Sequence, residues 1–470
     1  MTKELKLKDY LFGNRRFYSH VINILIPIII QNTVTNVVSL LDNVMIGRVG
    51  TLEMSAVAIV NQLLFIFYIC IFGGISGAGI FSAQFAGAED HEGVRNCFRF
   101  KTYIAFAMFA VALAIFLVFP KQLISMYLAE GTSAADAAAT MSFARDYLTV
   151  MLIGILPFAL SQVYGSTLRE IGETKLPMIA SVVAILVNLV FNYILIFGNK
   201  GLPFLPFEPM GVVGAAIATV LSRFVELFII MIAVHRKNGK YEFSDKLWAS
   251  LKIPKDLTVN ILKKGTPLLV NEFLWSLGVA MLLQCYSVRG LDVVAATNIT
   301  QTVANLFNVV FLSIGNAVAI MVGQQLGAGK TQEAKLSVWR LLSLTVMSCI
   351  VMGGLMILTA PFIPHIYNTT ESVRHTATEL LDVVAIAMPF MGFSHSCYFT
   401  LRSGGKTMIT LIFDCAFMWC GSFVTAFILA HYTSLPILPL YAIVQSLEVI
   451  KCIIGFILVK KGVWVNKIIK

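Results

Sequence analysis

A carboxylate inside an apolar run is the first chemistry this sequence offers. Asp42 closes the stretch PIIIQNTVTNVVSLLD, which begins at Pro27 and lies within a hydrophobic run from about Val21 to Ile46. A run of that length spans a bilayer as a helix, which needs ~20 apolar residues. A charge within such a span costs roughly 2.5–3.5 kcal/mol on translocon scales, so an acid kept there points to use. A carboxylate so placed can exchange a proton, hold sodium through oxygen or attract an organic cation, and these occupants exclude one another. The plain alternative is a carboxylate hydrogen-bonded to a neighbouring helix. Gln31, Asn32, Thr35, Asn36 and Ser39 recur at three- and four-residue steps and form a polar stripe leading to Asp42. Such a stripe suits a cavity-lining helix or a packed interface. Asn188 and Asn192, four apart in VVAILVNLVFNYILIFG, share a helix face. With Asp42 they offer an oxygen cage for an ion such as Na+, or alternatively interhelical hydrogen bonds. Glu272, Asp414 and His395 are further ionisable groups within apolar runs, and none of the acids has a basic neighbour on its own helix face. Arg223 with Glu226, and Glu448 with Lys451, are spaced i,i+3 and read as pairs that neutralise themselves.

The elements that must position these groups are membrane spans. The chain has 470 residues, 58% hydrophobic and 13% charged, against about 25% charged for a soluble domain. Twelve apolar runs are predicted, near 20–46, 54–81, 102–120, 145–167, 177–198, 211–234, 265–287, 293–322, 339–360, 380–400, 408–430 and 437–459. The polar, basic amino terminus lacks the apolar core and cleavage site of a signal peptide, so no processing is expected. The eight cysteines lie mostly in apolar runs without paired spacing and read as small hydrophobes. The net charge of +10 belongs to basic loops rather than to a nucleic-acid surface. With the amino terminus inside, the inner loops and ends collect 27 of the 35 Lys and Arg. The outer loops hold Arg48, Lys121, Lys200, Arg289 and Arg374. That bias predicts both termini in the cytoplasm.

The two halves repeat. Pro27, Gly50, Gln84, Gly87 and Ala88 have twins 240 residues on at Pro267, Gly290, Gln324, Gly327 and Ala328. Leu168, Arg169, Gly172 and Thr174 match Leu401, Arg402, Gly405 and Thr407 at a spacing of 233. The expected organisation is an all-α polytopic membrane protein with twelve helices in two parallel six-helix repeats. An amino-terminal lobe covers 1–234, a cytoplasmic linker 235–264 and a carboxy-terminal lobe 265–470, with a pathway between the lobes. Enzymatic signatures are missing. Arg402 to Thr407, RSGGKT, imitates the end of a phosphate loop, but Thr400 stands where its first Gly belongs and no strand precedes it. Without ATP, transport would draw on an ion gradient.

Several motifs carry a family resemblance: Pro27 followed by DNVMIG from Asp42, QFAGA from Gln84, LREIGETK from Leu168, and the later QQLGAG from Gln324 and LRSGGKT from Leu401. In this order and spacing the chain resembles the multidrug and toxic compound extrusion (MATE) family, of bacterial type. The resemblance implies a V-shaped pair of lobes and export of organic cations or amphipathic drugs in exchange for Na+ or H+. It implies no cofactor, no nucleic acid, and a monomer in the cell's inner membrane. Asp42 matches the family's acid in span 1. Asn192 stands at a span 5 position that is Asp or Asn in similar members, leaving Asp42 as the lobe's only central acid. Glu272 lies five residues after Pro267, where some branches have an acid eight after it. The span 10 acid of those branches is missing from PFMGFSHSCYFT, where His395 is the only titratable group, and Asp414 resembles an acid of bacterial members. Pro27 is the expected kink. A flippase for a lipid-linked precursor is the rival transport reading, though its cavity calls for cations. An intramembrane enzyme lacks any nucleophile–base or metal constellation here.

Overall fold

The computed structural model describes residues 10–127, 133–201, 206–236, 240–367 and 369–469, the side chains of Ser39, Leu40 and Asn43 excepted. Among these residues, twelve helices are long and apolar enough to cross a membrane. They are α1 (Arg15–Gly47), α2 (Thr51–Gly87), α3 (His91–Val118), α4 (Ala134–Glu170), α5 (Lys175–Gly201), α6 (Gly211–His235), α7 (Lys255–Ser287), α8 (Leu291–Gly327), α9 (Thr331–Thr359), α10 (Glu371–Ser403), α11 (Thr407–Tyr432) and α12 (Ile437–Lys460). Helix is what an apolar chain must form in lipid, since it satisfies every backbone polar group within the segment. Several helices outrun the apolar runs by one or two turns, because polar caps extend them into water. Ser133 accepts from the Asp136 N–H at 3.1 Å at the head of α4, and Thr370 from the Val373 N–H at 3.4 Å at the head of α10.

Not every span is a plain α-helix. Residues Ile412–Phe423 of α11 wind as a π-helix, a wider turn that in proteins is rare beyond a single turn and concentrates at functional sites. Helix α12 is made of Ile437–Ser446 and Glu448–Lys460, parted at Leu447. Helix α1 runs through Pro27.

The chain divides into two compact units that cut across the sequence halves. One holds Ile30–Gly79 and His91–Val259; the other holds Met1–Ile29, Ile80–Asp90 and Asn260–Lys470. The reason is local packing. Val21, Ile24, Leu25 and Ile28 of α1 are buried in one cluster with Ile314, Val318 and Met321 of α8. The change of unit in α1 falls two residues beyond Pro27. The end of α2 is claimed by the second unit through a reciprocal contact. Gly87 sits so close to the Gln324 carbonyl that a Cβ would lie 1.9 Å from its oxygen, and Gly327 meets the Gln84 carbonyl in the same way at 1.8 Å. The twin Gln-x-x-Gly motifs are thus each other's docking sites. The Gln84 amide is fully buried and donates to the carbonyls of Ser403 and Asn466, each at 3.1 Å. Its oxygen accepts from the Ile468 N–H at 2.8 Å.

Within the first unit, residues 240–254 are folded against α3. Arg95 of α3 donates to the Phe243 carbonyl in the turn Glu242–Ser244, and Arg99 to the Leu247 carbonyl beyond it.

Candidate functional site

Helix α5 presents Asn188 and Asn192 one turn apart, both buried, and they meet Asp42 from α1. The Asn192 amide donates to the Asp42 carboxylate at 2.6 Å and to Asn188 Oδ1 at 3.2 Å. Asn188 donates to Thr219 Oγ1 of α6 at 3.4 Å, and the Thr219 hydroxyl donates back to the Ala215 carbonyl at 3.0 Å. With its amide turned over, Asn188 would instead point its nitrogen at both Asp42 oxygens, 3.2 Å away. Asn192 Oδ1 is buried and accepts no hydrogen bond among the described residues. The centre therefore gathers one carboxylate, two amides and a hydroxyl, with an amide nitrogen on the carboxylate and one amide oxygen left unfilled among the described residues. Such a set suits a hard cation or a proton on the carboxylate.

The polar stripe of α1 is only partly drawn into this centre. Gln31 donates to Ser181 Oγ on α5 at 2.7 Å, and that hydroxyl donates to the Glu226 carboxylate on α6. Thr35 donates to the Gln31 carbonyl of its own helix and is exposed. Asn32 and Asn36 are half-buried, and the side chain of Ser39 lies outside the described residues. Arg223 does not turn to Glu226 as the i,i+3 spacing suggests. Its guanidinium bonds the Tyr68 hydroxyl and the Gly154 carbonyl, and lies 5.2 Å from the ring centroids of both Tyr68 and Phe158. Rings on α2 and α4 offer a planar cation a better fit than a carboxylate one turn along its own helix.

The second unit carries a different cluster. Asp414, in the π-helical stretch of α11, accepts from Lys451 Nζ of α12 at 2.8 Å and from the Asn271 amide of α7 at 3.1 Å. Lys451 also reaches Glu448 at 4.0 Å, so the expected self-pairing is its longer contact. Glu448 accepts from Ser394 at 2.8 Å. Glu272 lies 3.8 Å from Arg402 and accepts from the Tyr398 hydroxyl at 3.5 Å. Three acids thus face two cations, two hydroxyls and an amide. The His395 ring is packed edge-on against Phe311 and Phe399, at 5.4 and 4.9 Å between centroids. Gly315 makes the room, since a Cβ there would lie 2.8 Å from the imidazole.

Sequence reasoning missed Thr219, Tyr68, Ser181 and the partners of Asp414 and Glu272. A Thr or Tyr in a span carries no signal of its own. Arg402 reads as a loop cation because it ends its span, yet it is buried in the last turn of α10.

Among the described residues, twelve helices long and apolar enough to span a membrane carry two clusters of polar and charged side chains, which defines a polytopic membrane protein. The MatE family model matches residues 27–194 and 267–428, and the two matches begin at the twin prolines. The chain belongs to the MatE family of multidrug and toxic compound extrusion transporters. It is similar to the probable multidrug resistance protein YoeA of Bacillus subtilis, at 25% identity over 89% of this chain and 88% of the relative. A probable multidrug resistance protein NorM of Thermotoga maritima is 24% identical over 89% and 86%, and one of Bacillus cereus is 27% identical over 87% of each. The fold is that of a multidrug resistance MATE transporter solved in an outward-facing conformation, with a TM-score of 0.83 at 19% identity over 98% of both chains. It is equally that of the Vibrio cholerae MATE transporter VcmN, with a TM-score of 0.84 at 16% identity over 95% and 97%.

Proposed function

We propose that this transporter exports organic cations and amphipathic drugs, and that Asp42 exchanges them for Na+ or H+. The observation that carries this is the neutral setting of Asp42, whose partner is the Asn192 amide, beside an Asn192 oxygen that accepts no hydrogen bond among the described residues. An acid held by dipoles alone keeps its charge available. A proton or sodium ion taken up from outside neutralises it, and a cationic drug entering from the cytoplasm then finds no counter-charge and leaves. Asn188, Asn192 and Thr219 would supply oxygen to the ion. Pro27 would let α1 bend, since its missing N–H removes one helix hydrogen bond. The multidrug substrate class is supported by the names of the relatives. The cytoplasmic termini are supported by the 27 to 5 charge bias, and the six-and-six lobes by the paired family matches. The protein would work as a monomer.

Glu272, Asp414 and Glu448 we assign to a charge-balanced structural core, because Lys451 and Arg402 already answer them. The test is uptake of a cationic dye by proteoliposomes with sodium and proton gradients imposed independently. One of the two gradients drives the dye in wild type. Transport that persists with neither gradient, or that survives Asp42→Asn under the driving gradient, overturns the assignment.

A further inference from the structure

Residues 240–254, between α6 and α7, fold onto the first turns of α3 and form with them an open cleft of about 460 Å³. Its charged lining is Arg95, Arg99, Lys246 and Lys252 against the single acid Glu92. We propose that this cleft binds the phosphate headgroup of an anionic lipid of the cytoplasmic leaflet, a role separate from drug and ion transport.

The cations are held in place rather than scattered. Arg95 and Arg99, one helical turn apart, donate to the carbonyls of Phe243 at 3.2 Å and Leu247 at 2.9 Å. Their second nitrogens reach the Glu242 and Lys246 carbonyls at 3.4 and 3.3 Å. The loop backbone is thus wrapped around two guanidiniums, and Arg99 is buried. Lys246 takes a φ of +54°, a left-handed conformation rare for a non-glycine residue. Residues so held gather at ligand-binding sites. The depth is also right. Trp248 is 52% exposed and meets Phe98 edge to face, ring centroids 6.2 Å apart. Leu251 is 59% exposed, and the Tyr103 hydroxyl donates to its carbonyl at 2.6 Å. Tyr and Trp mark the membrane–water interface, so this edge of the cleft faces acyl chains while its cations face headgroups. A basic pocket at the cytoplasmic edge of a helix bundle is a recognised form of lipid site.

The inference rests on the same sidedness as the transport reading and not on its ion coupling, and its test reads lipid. Native mass spectrometry and thermal melting of the full chain in detergent would compare phosphatidylglycerol, phosphatidylcholine and inorganic phosphate. Phosphatidylglycerol alone should be retained and raise the melting temperature. The double variant Lys246→Gly, Lys252→Gln removes two cations, and glycine suits the φ at 246, so its melting in detergent without lipid should match wild type. Its phosphatidylglycerol affinity should fall roughly thirtyfold; Lys252→Gln alone should lose roughly fivefold in the same direction. Equal retention by wild type and variants, or equal response to phosphatidylcholine, overturns the site. Protection by inorganic phosphate as strong as that by phosphatidylglycerol overturns the lipid and leaves a soluble anion as the ligand.

Discussion

Two half-buried acids, Asp42 and Asp414, lie in spans of the same protein and in opposite company. Asp42 is answered by the neutral Asn192 amide. Asp414 is answered by a lysine at 2.8 Å and an amide at 3.1 Å, with a second acid on the far side of that lysine. The lesson concerns partners rather than acids. A carboxylate bridged to a buried cation gives up its freedom to bind another, because removing either member leaves an uncompensated charge. A carboxylate held only by dipoles stays available for exchange. The first unit even holds its own half-buried arginine, Arg223, away from an acid, on the rings of Tyr68 and Phe158.

Substitutions on either side test this contrast. Asp42→Asn should bring gradient-driven dye transport to background, with the protein still expressed and folded; transport at the wild-type level would erase the distinction. Lys451→Met, by stranding Asp414 and Glu448, should cost about 3–5 kcal/mol of stability in a thermal or denaturant melt. An unchanged melt would mean that the cluster is not held by charge. Asn192→Ala should leave folding largely intact and weaken the coupling ion's apparent affinity roughly tenfold to a hundredfold, as loss of a hydrogen bond to a charge implies. Asp414→Asn should lower stability while keeping the gradient dependence of transport; a folded variant that had lost that dependence would move coupling into the second unit.

The smallest effect calibrates the contrast against a pair in water. Glu173, between α4 and α5, is raised by burial. It is drawn lower overall by its hydrogen bond and attraction to Lys240 and by the Leu176 and Lys175 N–H groups. A depressed carboxylate contributes its stability above its unfolded value and loses it as pH falls through the folded one. The melting difference between wild type and Glu173→Gln should therefore be present at neutral pH and fade in acid below the ordinary glutamate value of 4.5. It should stay small, since Lys240 is 57% exposed. A difference as large as that of Lys451→Met would show that burial is not what separates the pairs.

Much of the molecule is legible in its sequence. Apolar run length determines the twelve helices, because lipid allows the backbone no other open-ended structure. The 240-residue spacing reveals the repeat, and the four-residue step from Asn188 to Asn192 reveals a shared face. Even Asp42 announces itself, by the cost of a charge in an apolar run. What the sequence could not determine is which helix each polar group faces. The i,i+3 spacing argued for Arg223 with Glu226, yet the arginine turns to α2 and α4, and the glutamate to α5. Asp414 looked as free as Asp42 until α12 brought Lys451 beside it. Helical periodicity is a property of one segment and survives in the sequence. The pairing of a charge depends on which segments lie side by side, and only the tertiary structure decides that.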